Sequence, residues 1–98
     1  MENFNDIINS DQVTLVDFFA TWCGPCKMMH PVLEQLKEEL DDRIRIIKVD
    51  VDKNEALCVQ YGIQSVPTLM LFRKGEMVWR QSGAMRANDL KAIIAQYQ

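Results

Sequence analysis

Two cysteines separated by two residues, Cys23 and Cys26, stand where one kind of sequence gives way to another. Before them runs an apolar stretch, Val13 to Ala20, which reads as a buried strand. After them, Met29, Val32, Leu33, Leu36 and Leu40 recur at helical spacing, while Glu34, Lys37, Glu38 and Glu39 mark a solvated face. The pair therefore belongs to the turn between a strand and a helix N-terminus. There, unpaired backbone N–H groups and the positive end of the helix dipole favour a thiolate. Such a pair can close a disulfide or, together, grip a metal.

The rest of the chain supplies elements to surround that junction. Asn3 is a plausible cap, with Asp6 three residues on, for a short helix carrying Phe4, Ile7 and Ile8. The strand Val13–Phe19 is apolar apart from Asp17, as in a strand covered on both faces. The helix after it contains Pro31, which deletes a backbone donor and predicts a kink one turn back. A β-branched run, Ile44 to Val51, reads as a second strand. Asp52 followed by Glu55 predicts a further helix reaching Tyr61 and stopped by Gly62. Thr68–Phe72 and Met77–Gln81 read as a hairpin around Lys74-Gly75. Leu90, Ile93, Ile94 and Tyr97 give the stripe of a last helix. The order is αβαβαββα, with the first two strands parallel through a right-handed crossover and the last two antiparallel.

Bulk composition narrows the function. Ninety-eight residues predict a single domain, 1–98. A net charge of −3 disfavours nucleic acid and an anionic membrane surface. No apolar run approaches the ~18–20 residues that span a bilayer. The first residues, Met1 to Asp6, carry neither a basic region nor an apolar core, so a cytoplasmic protein without a secretory signal is expected. Three cysteines are too few and too odd in number for a disulfide scaffold.

With these elements in place, the chain resembles the thioredoxin family over almost its whole length. The resemblance is carried by Val16-Asp17-Phe18-Phe19-Ala20, the hexapeptide Trp22-Cys23-Gly24-Pro25-Cys26-Lys27 and Pro31. It continues through Lys48-Val49-Asp50-Val51-Asp52, Tyr61-Gly62-Ile63, Val66-Pro67-Thr68 and Gly83-Ala84. A bare CxxC is weak evidence, but WCGPC between a buried strand and a helix, with Val-Pro-Thr beyond, is specific. The resemblance implies an α/β three-layer sandwich with a four-stranded mixed sheet flanked by four helices. The strand order by analogy is Ile44, Val13, Thr68, Met77. Family members usually carry an extra N-terminal strand; this chain begins at the helix after it, which leaves the Ile44 strand at an edge.

The resemblance also implies a dithiol–disulfide oxidoreductase that reduces protein disulfides through Cys23 and Cys26 and is recycled by a thioredoxin reductase. Cys23 is the nucleophile and Cys26, one turn on and more buried, the resolving thiol. Thioredoxins hold the attacking thiol near pKa ~7, a family value and not one worked out from these residues. Reaching it from ~8.5 takes about 2 kcal/mol, which a helix dipole and one N–H···S contact supply. Asp17, a carboxylate in an apolar strand, has its pKa raised by burial and is either a proton acceptor for Cys26 tuned by Lys48 or half of a structural ion pair with Lys48. Pro67 is expected to be cis and to present the Val66 backbone to an extended substrate, with Trp22, Gly24, Pro25, Gly83 and Ala84 completing the docking surface. His30 with the two cysteines could seed a zinc site, but a fourth ligand is missing nearby, so no metal is expected. Cys58 reads as an inert, half-buried thiol, with a regulatory thiol as the alternative, and Trp79 as packing on the outer strand. No bound cofactor is implied, since both electrons ride on sulfur, and a monomer is expected. The rivals are an oxidant or isomerase on the same fold and a non-catalytic binding subunit.

Overall fold

The structure is a computed structural model, and it describes residues 3–98. Its first helix, α1 (Phe4–Ile8), begins where the Asn3 side chain accepts the Asp6 N–H at 2.9 Å, as the sequence predicts. The next elements are β1 (Val13–Phe19), α2 (Gly24–Leu40), β2 (Ile44–Asp50) and α3 (Glu55–Gln60). The hairpin β3 (Thr68–Arg73) and β4 (Glu76–Ser82) precedes α4 (Ala87–Ala95). Short 3-10 turns at Asp41–Arg43 and Val51–Lys53 flank β2. The strand order is β2-β1-β3-β4, with β1 parallel to β2 and antiparallel to β3. This is the expected αβαβαββα arrangement.

Alternation along β1 sorts the molecule into three layers. Val13 and Leu15 join Leu69 and Leu71 on one face, covered by Met29, Leu33, Leu36 and Leu40 of α2 and by Leu90 and Ile94 of α4. Val16 and Phe18 join Val49, Met70 and Phe72 on the other, covered by α1 and α3. Phe4, Tyr61 and Phe72 meet edge to face with centroids 5.6 to 5.7 Å apart, which fastens both short helices to the sheet. Trp79 is half-buried against the α2/α4 layer. The β3–β4 turn uses positive φ at Lys74 and Gly75, the geometry that suits the right-handed twist of a two-residue hairpin. Its N–H groups donate back to Ser10 and Ile8, tying the turn to the end of α1.

Two boundaries differ from expectation. The strand β2 stops at Asp50, whose carboxylate accepts the Asp52 N–H and turns the chain into a 3-10 turn. Consequently Asp52 does not cap α3; Asn54 holds that position without a side-chain hydrogen bond. Pro31 lies inside α2, which spans Gly24–Leu40 as one element. At the end of α3 the expected stop at Gly62 holds: φ is +60°, and Ile63 N–H reaches back to Cys58 C=O at 2.9 Å.

Candidate functional site

The site grows from the end of β1. Cys23 N–H donates to Ala20 C=O at 3.2 Å, which reverses the chain at the exit of the strand. Cys23 then takes the cap position of α2 with φ −91° and ψ 118°, and its Sγ accepts the Cys26 N–H at 3.1 Å. Pro25 fits in the first turn because its missing N–H would have had no partner there. The extended cap conformation brings Cys23 and Cys26 to a Cα separation of 5.3 Å, and the two are joined as a disulfide. Both are buried, Cys23 at 5% and Cys26 at 2% exposure, so the difference between them is smaller than the sequence suggests.

A second loop closes over the sulfurs. The Val66–Pro67 peptide bond is cis, and the Val66 carbonyl oxygen lies 3.7 Å from Cys23 Sγ. Thr68 Oγ1 donates to Ser65 C=O at 2.7 Å and Gly83 N–H to Pro67 C=O at 2.8 Å, pinning the loop from both sides. Gly83 has φ +100°, a conformation closed to most side chains. The chain continues through exposed Ala84 to Met85, whose N–H meets Met29 Sδ on α2 at 3.4 Å. Trp22 is 70% exposed beside Cys23, and its indole N–H donates to the Asp52 carboxylate at 3.0 Å. Gly24 and Pro25 are exposed as well.

An apolar groove of about 610 Å³ leads away from the sulfurs, lined by Trp22, Val51, Cys58, Val59, Ile63 and Val66. The wall from α3 is absent from the sequence reading; its only signal is an apolar Val59 on a helix whose Leu57 and Cys58 already pack on the sheet. Val59 is 82% exposed. Cys58 is half-buried, with burial and the carboxylates of Asp52 and Glu55 pushing its thiol up, which suits an unreactive group.

Asp17 occupies the α2 side of β1 at 1% exposure. Its Oδ1 has no hydrogen-bond partner among the described residues, and burial pushes its pKa up to about 6 against the opposing pull of Lys48. Lys48 stands directly across from it in the β1/β2 register. The structural ion pair offered as one reading of Asp17 is not formed, for Lys48 is exposed and its Nζ instead contacts His30 Nδ1 at 2.9 Å. Thr14, also buried in β1 and with no hydrogen-bond partner for its Oγ1 among the described residues, is a second polar exception that the sequence reading passed over.

Comparison with known proteins decides the family. The thioredoxin family model matches residues 1–96. The chain belongs to the thioredoxin family. A thioredoxin of Haemophilus influenzae is 44% identical over 91 residues, covering 93% of this chain and 85% of that protein. A thioredoxin-like protein of Synechocystis is 48% identical over 89 residues, covering 90% and 85%. Among solved structures, a mutant thioredoxin from Halobacterium salinarum superposes with a TM-score of 0.86 at 43% identity, covering 95% of this chain and 80% of that one. Thioredoxin membership and the bonded Cys23–Cys26 pair make the chain a dithiol–disulfide oxidoreductase with protein-disulfide reductase activity. Recycling by a thioredoxin reductase is standard for the thioredoxin family.

Proposed function

We propose that Cys23 is the attacking thiol, Cys26 the resolving thiol and Asp17 the group that takes the Cys26 proton. The observation that carries this reading is Cys23 Sγ in the cap of α2, accepting the Cys26 N–H. A negative sulfur strengthens that hydrogen bond and meets the positive end of a 17-residue helix. The Cys23 thiolate attacks one sulfur of a substrate disulfide, forming a mixed disulfide and expelling the other sulfur as a thiolate. Cys26, its proton passed to Asp17, then attacks Cys23 Sγ and expels the second substrate thiolate. The substrate gains two electrons and the protein is left as the Cys23–Cys26 disulfide. Lys48 tunes Asp17 by favouring its ionised form.

Val66 and cis Pro67 present a backbone edge to an extended substrate segment, with Trp22, Gly24, Pro25, Gly83 and Ala84 around it. Residues 1–98 act as one domain and as a monomer, without a bound cofactor, on disulfide-containing protein substrates. The partners are those substrates and a thioredoxin reductase, not nucleic acid or a membrane; among the described residues no helix is long and apolar enough to cross one. A working dithiol beside an unpaired Cys58 suits a reducing compartment, and the cytoplasm is the proposed location.

Reduction of a protein disulfide by Cys23→Ser and Cys26→Ser variants tests the order of events. Cys26→Ser is expected to accumulate a mixed disulfide through Cys23, and Cys23→Ser to trap nothing. Trapping through Cys26 in the Cys23→Ser protein reverses the assignment.

A further inference from the structure

His30 has no part in the chemistry described so far, yet it holds the ammonium that bears on Asp17. Its Nδ1 lies 2.9 Å from Lys48 Nζ. An ammonium has donors only, so Nδ1 must be the acceptor, and the ring in this contact is neutral with its proton on Nε2. Lys48 and Asp17 are paired across β1 and β2 and point to the same, α2-facing side of the sheet. Asp17 Oδ1 lacks a partner among the described residues while Lys48 is engaged by His30.

We propose that His30 is a positioning residue for proton transfer: its neutral imidazole holds the Lys48 ammonium away from Asp17, and protonation of the ring releases Lys48 towards that carboxylate. This rests on the reading of Asp17 as the proton acceptor. A protonated imidazole has no lone pair for Lys48 and repels it, and both cations then favour ionised Asp17.

The charged and titratable groups around this contact come from three elements. On α2, Cys26 and Lys27 precede His30 by one turn and Glu34 follows it by one turn. On β2 stand Lys48 and Arg45, and on β1 Asp17. Glu34 shares a surface groove with Lys48 and competes for a released ammonium. Lys37 is already engaged by the carbonyls of Asp41 and Ile44.

The test is the titration of the Asp17 carboxyl by carbon NMR in the oxidised protein, where neither Cys23 nor Cys26 carries a proton. His30 is exposed, so its variants keep the fold. His30→Ala is expected to lower the Asp17 midpoint by about half a pH unit or more, as Lys48 moves closer. His30→Asn, which keeps a neutral acceptor near the Nδ1 position, is expected to leave the midpoint close to wild type. In a Lys48→Met background His30→Ala is expected to have no effect. An unchanged or raised midpoint in His30→Ala, with Lys48 drawn to Glu34 or to water, overturns the proposal, as does a full shift in the Lys48→Met background. The Asp17 reading fails separately: Asp17→Asn would then leave disulfide-exchange rates and their pH profile unaltered, whatever the midpoint does.

Discussion

Replacing Asp17 by Asn removes the buried carboxylate from β1 while keeping its shape. In the folded protein burial holds that carboxyl at about 6, against 3.8 for the free group, with Lys48 opposing the rise. Between those values the folded chain retains a proton that the unfolded chain has lost. Stability therefore falls as pH rises from about 4 to about 6 and stays at the lower level above. A displacement of that size corresponds to about 3 kcal/mol. Asn bears no charge at any pH, but its amide meets the same unpartnered surroundings as Oδ1, which reduces the gain to about 2 kcal/mol. For a domain this small the midpoint of thermal unfolding rises by roughly 8–16 °C. Guanidinium unfolding of the oxidised protein reads the effect directly. The Asn variant is expected to be about 1 kcal/mol less stable than the wild type below pH ~3, where the carboxyl is protonated in both states, and about 2 kcal/mol more stable at pH ~8. A gap of constant size over that range would locate the effect in packing, and no gap at pH ~8 would refute the burial argument.

The remaining predictions concern the core, the groove and the two loops around the sulfurs. Leu36→Ala, at a position fully buried between α2 and the sheet, is expected to cost about 2–5 kcal/mol in denaturant unfolding. Trp22→Ala removes an exposed groove wall, so kcat/KM for a protein disulfide is expected to fall several-fold while stability changes by less than about 1 kcal/mol. Gly83→Ala forces a side chain into φ +100° and is expected to cost about 1–3 kcal/mol, with slower reduction of protein substrates than of small disulfides. Asn3→Ala removes the α1 cap and is expected to cost about 1 kcal/mol, with exchange rates unaltered.

What the sequence disclosed follows the range of the interaction responsible. The Asn3 cap, the strand at Val13–Phe19, the Lys74-Gly75 turn and the position of Cys23 at a helix start all depend on residues a few positions apart, and each is legible. Asp52 shows the limit of such reasoning. The pair Asp52 and Glu55 has the spacing of a helix cap, but Asp50 captures the Asp52 N–H first, and the freed Asp52 carboxylate takes the Trp22 indole thirty residues away. The sequence offers His30 no partner beyond a zinc site set aside for want of a fourth ligand, and its contact is Lys48, on a strand that only the sheet register brings close. The groove wall at Val59 was likewise invisible, because an apolar residue on a short helix reads as core until the packing leaves it outside.

The polar neighbours of Cys23 Sγ are main-chain atoms, the Cys26 amide and the Val66 carbonyl. Neither can be deleted by changing a side chain alone. The lining of the groove can therefore change, and with it the choice of clients, while these main-chain contacts of Cys23 Sγ stay as they are.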